Sequence, residues 1–270
     1  MKKFLFAAVI AAASLTSFAN DSIQSGDFTD EVYYNDSKGY SVQTNSFWSN
    51  WHLSIGAGAQ TFFGDHDKQL KWGDRITPAF DIAVGKWYTP VIGVRGMVSG
   101  LSVKGGAQDG DFLQETTNDA AYSTGEIVEG NEFWLDHHLW HQNIKYINAH
   151  IDVMLNMTNL FCGFKETRVY NAIPYFGLGW VAALDCDDRL PEGINPSREV
   201  GANIGLINQF RLGRNFDLNI DIRGGYVNDR FDGEVDGRKE EGLLSASLGL
   251  TYKFAKRGWE RSKTIIRYDN

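Results

Sequence analysis

The chain has 270 residues, with 34 acidic against 26 basic side chains, a formal net charge of −8 and two cysteines. That acidic balance excludes nucleic acid as an expected partner, because a phosphate backbone is met by a basic face. No run of eighteen apolar residues is present to make a membrane-spanning helix. The 29 glycines, 17 Phe, 11 Tyr and 8 Trp, against only 5 Pro, point instead to a barrel-like all-β chain.

The first twenty residues read MKKFLFAAVIAAASLTSFAN. Lys2 and Lys3 are followed by an apolar run from Phe4 to about Leu15, and Ser17-Phe18-Ala19 puts small residues where a signal peptidase reads. Residues 1–19 are therefore expected to be a secretory signal cut after Ala19. The core is too short for a comfortable span, and Asn20, Asp21 and Ser22 follow at once. Residues 20–49 are rich in Asp, Asn and Ser and read as a periplasmic lead-in. About 250 residues remain after the leader, enough for one large all-β domain, placed at 50–254.

From Trp51 onward the pattern has period two, which sends successive side chains to opposite faces of a strand. Trp51, Leu53, Ile55, Ala57, Ala59, Thr61 and Phe63 share one face; His52, Ser54, Gly56, Gly58, Gln60 and Phe62 share the other. The same alternation puts Phe80, Ile82 and Val84 opposite Asp81, and Ile92, Val94 and Val98 opposite Arg95 and Met97. Ile147, Ile151 and Val153 oppose Asn148, His150 and Asp152, and Phe176, Leu178 and Trp180 oppose Tyr175, Gly177 and Gly179. Val200–Leu212 is apolar enough for a strand but ambiguous in phase. Phe216, Leu218, Ile220 and Ile222 oppose Asp217, Asn219, Asp221 and Arg223, and Leu244, Ala246, Leu248, Leu250, Tyr252 and Phe254 oppose Ser245, Ser247, Gly249 and Thr251. Eight strands result, an even number as bacterial outer-membrane barrels require. A soluble sandwich also alternates, but its apolar faces are shorter.

The connections are sorted by length. Gly64–Thr77, Lys104–Gln142, Leu184–Glu199 and Asn228–Glu241 are long and polar; Trp87–Pro90, Asn156–Thr167 and Leu212–Asn215 are shorter. Long loops on one side and short turns on the other are the mark of outer-membrane barrels. Trp51, Trp87, Tyr88, Phe216, Tyr252 and Phe254 sit near strand ends, as expected of an interfacial aromatic girdle. Asp81, Arg95, Asp152, Asp221 and Arg223 point into a lumen that eight strands leave just wide enough for side chains to fill. Buried charges need partners, so a lumenal ion-pair network and no wide pore are expected.

The segments NSFWSNWHLSIGAGAQTFFGDHDKQLKWGDR, PAFDIAVGKWYTPVIGVRGMVSG, IPYFGLGWVAAL and SLGLTYKF followed by KRGWE together resemble the OmpA-like barrel family, over roughly Phe47–Asn270. The resemblance implies an all-β, eight-stranded antiparallel transmembrane β-barrel of the outer membrane, folded by the barrel-assembly machinery, with Phe254 as the terminal aromatic it reads. Relatives often continue into a periplasmic domain that binds peptidoglycan. Here residues 255–270 are expected to form only a periplasmic tail, too short for a domain.

Candidate chemistry is sparse. In DHHLWH, Asp136, His137, His138 and His141 could share a helical face around zinc, but they fall in the longest loop. Asp232, Glu234, Asp236 and Gly237 resemble the start of a calcium loop, yet the twelfth position is Leu243 where a bidentate Glu is needed. Asp65-His66-Asp67 has no matching Ser-His arrangement. Gly56-Ala57-Gly58 and Gly177-Leu178-Gly179 precede no helix and are not nucleotide loops. Cys162 falls in a short turn and Cys186 in a long loop, on opposite sides of the membrane, beyond the roughly 7 Å a disulfide spans between Cα atoms. No cofactor is expected. The favoured expectation is a structural, non-catalytic membrane protein with outer-membrane lipid around it and an extracellular partner at its long loops, Lys104–Gln142 foremost. A small porin-like channel is the alternative, and a lipid-modifying enzyme a further one.

Overall fold

The computed structural model describes residues 47–64, 66–108, 122–128, 139–184, 197–228, 231–232, 240–254 and 259. Residues 1–46, most of residues 255–270 and Cys186 lie outside the described residues. Nine strands occur among them: β1 (Trp51–Phe63), β2 (Thr77–Trp87), β3 (Ile92–Gln108), β4 (Ser123–Ile127), β5 (Leu139–Leu155), β6 (Tyr170–Leu184), β7 (Arg198–Arg211), β8 (Phe216–Asn228) and β9 (Glu240–Lys253). One six-residue helix, α1 (Met157–Cys162), lies in the turn between β5 and β6.

Every pairing is antiparallel. The order runs β3-β2-β1-β9-β8-β7-β6-β5, and β3 pairs back onto β5, so eight strands close into a barrel. Closure pairs each of these eight strands on both sides through the middle of the wall. β4 stands outside the ring. β5 pairs with β6 only as far as Lys145↔Leu184, and β4 takes over that edge at Gln142 and Trp140. Both ends of the barrel chain, Trp51 and Lys253, lie on the short-turn side, where Phe254 N donates to Trp51 O at 3.1 Å.

The alternation read from the sequence is the inside–outside pattern of this wall. Ile55, Ile82, Val98, Ile151, Phe176, Trp180, Ile204, Ile222 and Leu248 are all exposed on the outer face. Such a continuous apolar belt far exceeds what a soluble monomer shows to water. The phase of β7 is now fixed: Val200, Ile204 and Leu206 face out while Gly201, Asn203 and Ile207 face in. Ile207 confuses the pattern because it belongs to an apolar cluster inside the lumen.

Two expectations need correction. β3 and β5 run much further than expected, pairing from Ile92↔Leu155 up to Gln108↔Leu139, and β4 occupies part of what reads as loop. The reason is where the apolar residues sit. The inward alternation keeps its phase along both strands, but beyond Leu101 it is the inward positions that are apolar: Val103, Ala107 and Ile144 are buried. The change coincides with the end of the β2–β3 pairing at Ala79↔Leu101. Leu101 there has φ +131°, a conformation costly for any side chain with a Cβ.

Candidate functional site

The lumen is filled in layers. At the short-turn end Met154, Ile173, Tyr175 and Ile207 form an apolar cluster against which Trp87 packs. At the long-loop end Phe62, Val103, Ile144, Tyr146, Val181, Val227, Phe231 and their neighbours form a larger one. Phe231 stands edge-on to Phe62 at 5.6 Å and to Tyr146 at 5.7 Å between ring centres. Between the two clusters lies the polar layer.

Arg95 is the centre of that layer. Its Nε donates to Asp152 Oδ2 at 2.6 Å and its Nη2 to Asp221 Oδ2 at 3.2 Å. Its guanidinium also lies 4.2 Å from the centre of the Tyr175 ring, and Tyr175 Oη donates to Asp221 Oδ1 at 2.8 Å. His150 Nδ1 is 2.6 Å from Asp152 Oδ1. Four strands thus contribute to one buried constellation: Arg95 from β3, His150 and Asp152 from β5, Tyr175 from β6 and Asp221 from β8. A guanidinium between two carboxylates has the planar fork that suits them.

Asp81 and Arg223 face the lumen and are buried, but neither makes an ion pair among the described residues; Arg223 instead reaches Met97 Sδ at 3.1 Å. The structure therefore brings together three of the five charges read from the sequence. It adds Tyr175 and His150, which the alternation placed inward without singling out. A signal for the crowding exists in the glycines. Asp152 stands opposite Gly177 and Asp81 opposite Gly56. A Cβ on Gly56 would come within 2.6 Å of Asp81 Oδ1, and one on Gly177 would overlap Asp152.

Of the girdle residues, Trp51, Tyr88, Phe216, Tyr252 and Phe254 gather at the short-turn end. Phe216 and Tyr252 lie 5.2 Å apart, Tyr252 and Phe254 5.3 Å. Lys86 Nζ sits 5.8 Å from the Trp51 ring and 5.5 Å from that of Tyr88. Trp87 is a correction. It takes the inward position of β2 and closes the lumen, because an eight-stranded interior needs bulky apolar filling at its end as much as the outer face needs rings.

At the long-loop end the β1–β2 connection is fastened to β3 by Asp67. Its Oδ2 accepts from Gly64 N at 2.7 Å and its Oδ1 from Gly106 N at 2.9 Å, with Arg75 Nη2 3.6 Å away. Burial holds the Asp67 carboxyl above its ordinary pKa, against the pull of those two amides and of Arg75. Beside this latch a cleft of about 670 Å³ opens, lined by Lys71 and Asp74, by Lys104 of β3, by Thr124 and Glu126 of β4 and by His141. Two cations and two carboxylates share its wall.

The metal and acid–base candidates find little support in this geometry. Asp136, His137, His138, Glu234, Asp236, Gly237 and Asp65 lie outside the described residues. Among the described residues no three His, Cys, Asp or Glu side chains gather as a ligand set. Asp67 is held in structural hydrogen bonds, and Asp232 is buried. Cys162 is exposed at the end of α1.

No family model matches the chain. Outer membrane protein 40 of Porphyromonas gingivalis is 24% identical over 213 residues, which is 78% of this chain and 48% of that protein. Outer membrane protein 41 of the same organism is 24% identical over 191 residues, 71% of this chain and 41% of that one. The chain spans less than half the length of either relative. Among solved structures, Neisserial surface protein A aligns at a TM-score of 0.46 with 11% identity, over 76% of this chain and 98% of that one. The N-terminal β-barrel domain of Pseudomonas aeruginosa OprF aligns at 0.41 with 12% identity, over 76% and 98%.

Proposed function

We propose that this OmpA-like outer-membrane β-barrel protein serves as a non-conducting anchor that presents its long loops, and the cleft among them, to the outside of the cell. The reading rests above all on the filled lumen. An ion to be conducted would have to displace the apolar cluster around Phe62 and Phe231, then a guanidinium held by two carboxylates, then the cluster around Met154 and Trp87. Channels dewet at such apolar constrictions. Arg95, Asp152 and Asp221 act in this reading as lumenal filling that fixes the strands relative to one another.

The remaining assignments follow the same reading. Residues 50–254 are the membrane part, with residues 20–49 and 255–270 periplasmic. The rings of Trp51, Tyr88, Phe216, Tyr252 and Phe254 mark the periplasmic interface, and Phe254 is the terminal aromatic offered to the assembly machinery. No catalytic role is proposed; Asp152 and Asp221 are engaged with Arg95, and His150 with Asp152.

The test is electrical. The full chain without its leader, refolded as a monomer into a planar bilayer, is expected to leave the baseline conductance unchanged. A sustained unitary conductance from pure monomer would overturn the proposal in favour of the small porin.

A further inference from the structure

At the short-turn end the wall has a gap that a helix fills. β5 last pairs with β6 at Met154↔Tyr175. β6 runs on to Tyr170 and stays paired with β7 on its other side as far as Tyr170↔Phe210. One edge of Tyr170–Pro174 therefore has no strand beside it, and α1 lies along it. Thr158 Oγ1 accepts from Ala172 N at 2.8 Å. Asn156 Oδ1 caps the first turn by accepting from Asn159 N at 2.8 Å, and Arg168 donates to the carbonyl oxygens of Cys162 and Gly163 at 3.2 and 2.9 Å. The helix is thus pinned at both ends although it is only six residues long.

The Thr158–Ala172 bond also sets its depth. Ala172 is two residues from Tyr170, whose ring lies 5.2 Å from that of Phe210 on the outer face. α1 is level with this ring pair. None of its six side chains is buried and neither end turn carries a charge. Leu160 is 50% exposed, Phe161 76% and Phe164, just beyond, 49%. Val169 and Tyr170, at the foot of the strand that α1 covers, are 65% and 39% exposed.

We propose that α1 is an interfacial anchor, with Leu160, Phe161 and Phe164 seated in the headgroup–acyl boundary of the periplasmic leaflet. Lipid is the occupant because α1 covers the edge of a strand whose outward residues, Tyr170 and Phe176, belong to the lipid-facing belt, and stands at the depth of that belt's rings. A strand edge facing hydrocarbon leaves backbone groups unsatisfied, so the segment that covers it must itself be apolar outward. A short helix with an apolar face lying in the plane of the membrane meets that need.

The proposal rests on the membrane reading of the barrel, and the test separates the two. In a Cys162→Ser, Cys186→Ser background, Phe161→Cys is labelled with a polarity-sensitive fluorophore. The protein is refolded into phosphatidylcholine–phosphatidylglycerol vesicles that carry a nitroxide either near the headgroup or near the chain end. The expected result is blue-shifted emission, quenched more by the shallow nitroxide than by the deep one. Water-like emission quenched by neither overturns the proposal. So does energy transfer between donor- and acceptor-labelled copies without lipid quenching, which would place a second copy on the patch. A label at Ile151→Cys, on the belt, is expected to be quenched more by the deep nitroxide. If that label is unquenched, the membrane reading of the barrel itself fails.

Discussion

Arg95 and Phe62 both stand on the inner face of the barrel wall, and their surroundings are opposite. Arg95 is held by two carboxylates, a tyrosine ring and, through Asp152, a histidine. Phe62 is wholly buried among apolar side chains, with Phe231 brought onto it from a loop. The charged layer is directional: each group satisfies a particular atom on a particular strand, so it discriminates one register from its neighbours. The apolar layer excludes water and asks only for volume, which lets residues far apart in the chain contribute to it.

That difference predicts different responses to loss. The largest effect is expected at Arg95→Met, which leaves Asp152 and Asp221 buried beside each other without their cation. Breaking a buried ion pair from one side costs about 3–5 kcal/mol, readable as a shift in urea-unfolding midpoint in lipid vesicles. Arg95→Met combined with Asp152→Leu and Asp221→Asn removes the stranded charge and is expected to recover much of that loss. A triple variant no more stable than the single one would break the distinction between the two layers. Phe231→Ala is expected to cost about 3 kcal/mol, the low end for a buried aromatic, because a loop residue's neighbours can settle into the space. Its companion readout is faster proteolysis in the long loops with the wall still protected.

The smallest effect sharpens the comparison at the rim, where a carboxyl is buried against two amides and a single arginine. Asp67 has its folded pKa raised by burial. Between the ordinary carboxylate pKa of about 4 and the raised one, the folded state holds the extra proton. Stability therefore falls as pH rises through that window and is flat above it. Hydrogen exchange at Gly64 and Gly106 is expected to show more protection at the acid side of the window than at neutral pH. Asp67→Asn is expected to abolish the slope.

Much of the wall was legible because lipid outside and a filled lumen inside impose a strict alternation on every strand. The phase failed only in β7, where the inward Ile207 matches the outward residues in character. The reading lost β4 and the upper parts of β3 and β5 for the converse reason. Above the apolar belt nothing outside demands apolar side chains, so Val103 and Ile144 point in and Lys104 points out, inverting the rule that marks the wall. Charges assigned to the lumen could be placed on a face but not paired. Arg95 and Asp152 are direct cross-strand neighbours, whereas Asp221 arrives from β8 across the lumen. Only closure brings such residues together, and the sequence carries no local sign of it beyond the glycines that make room.

The β3–β5 ladder, paired over 17 residues of each strand, has a consequence for who can touch this protein. At about 3.3 Å per residue it is roughly 55 Å long, which at the roughly 40° tilt of such strands is a rise of about 40 Å, against an apolar band about 25 Å tall for barrels of this kind. Its upper part therefore reaches beyond the apolar band and carries Lys104 and His141 of the cleft. A molecule bound in that cleft would meet the protein above the lipid surface.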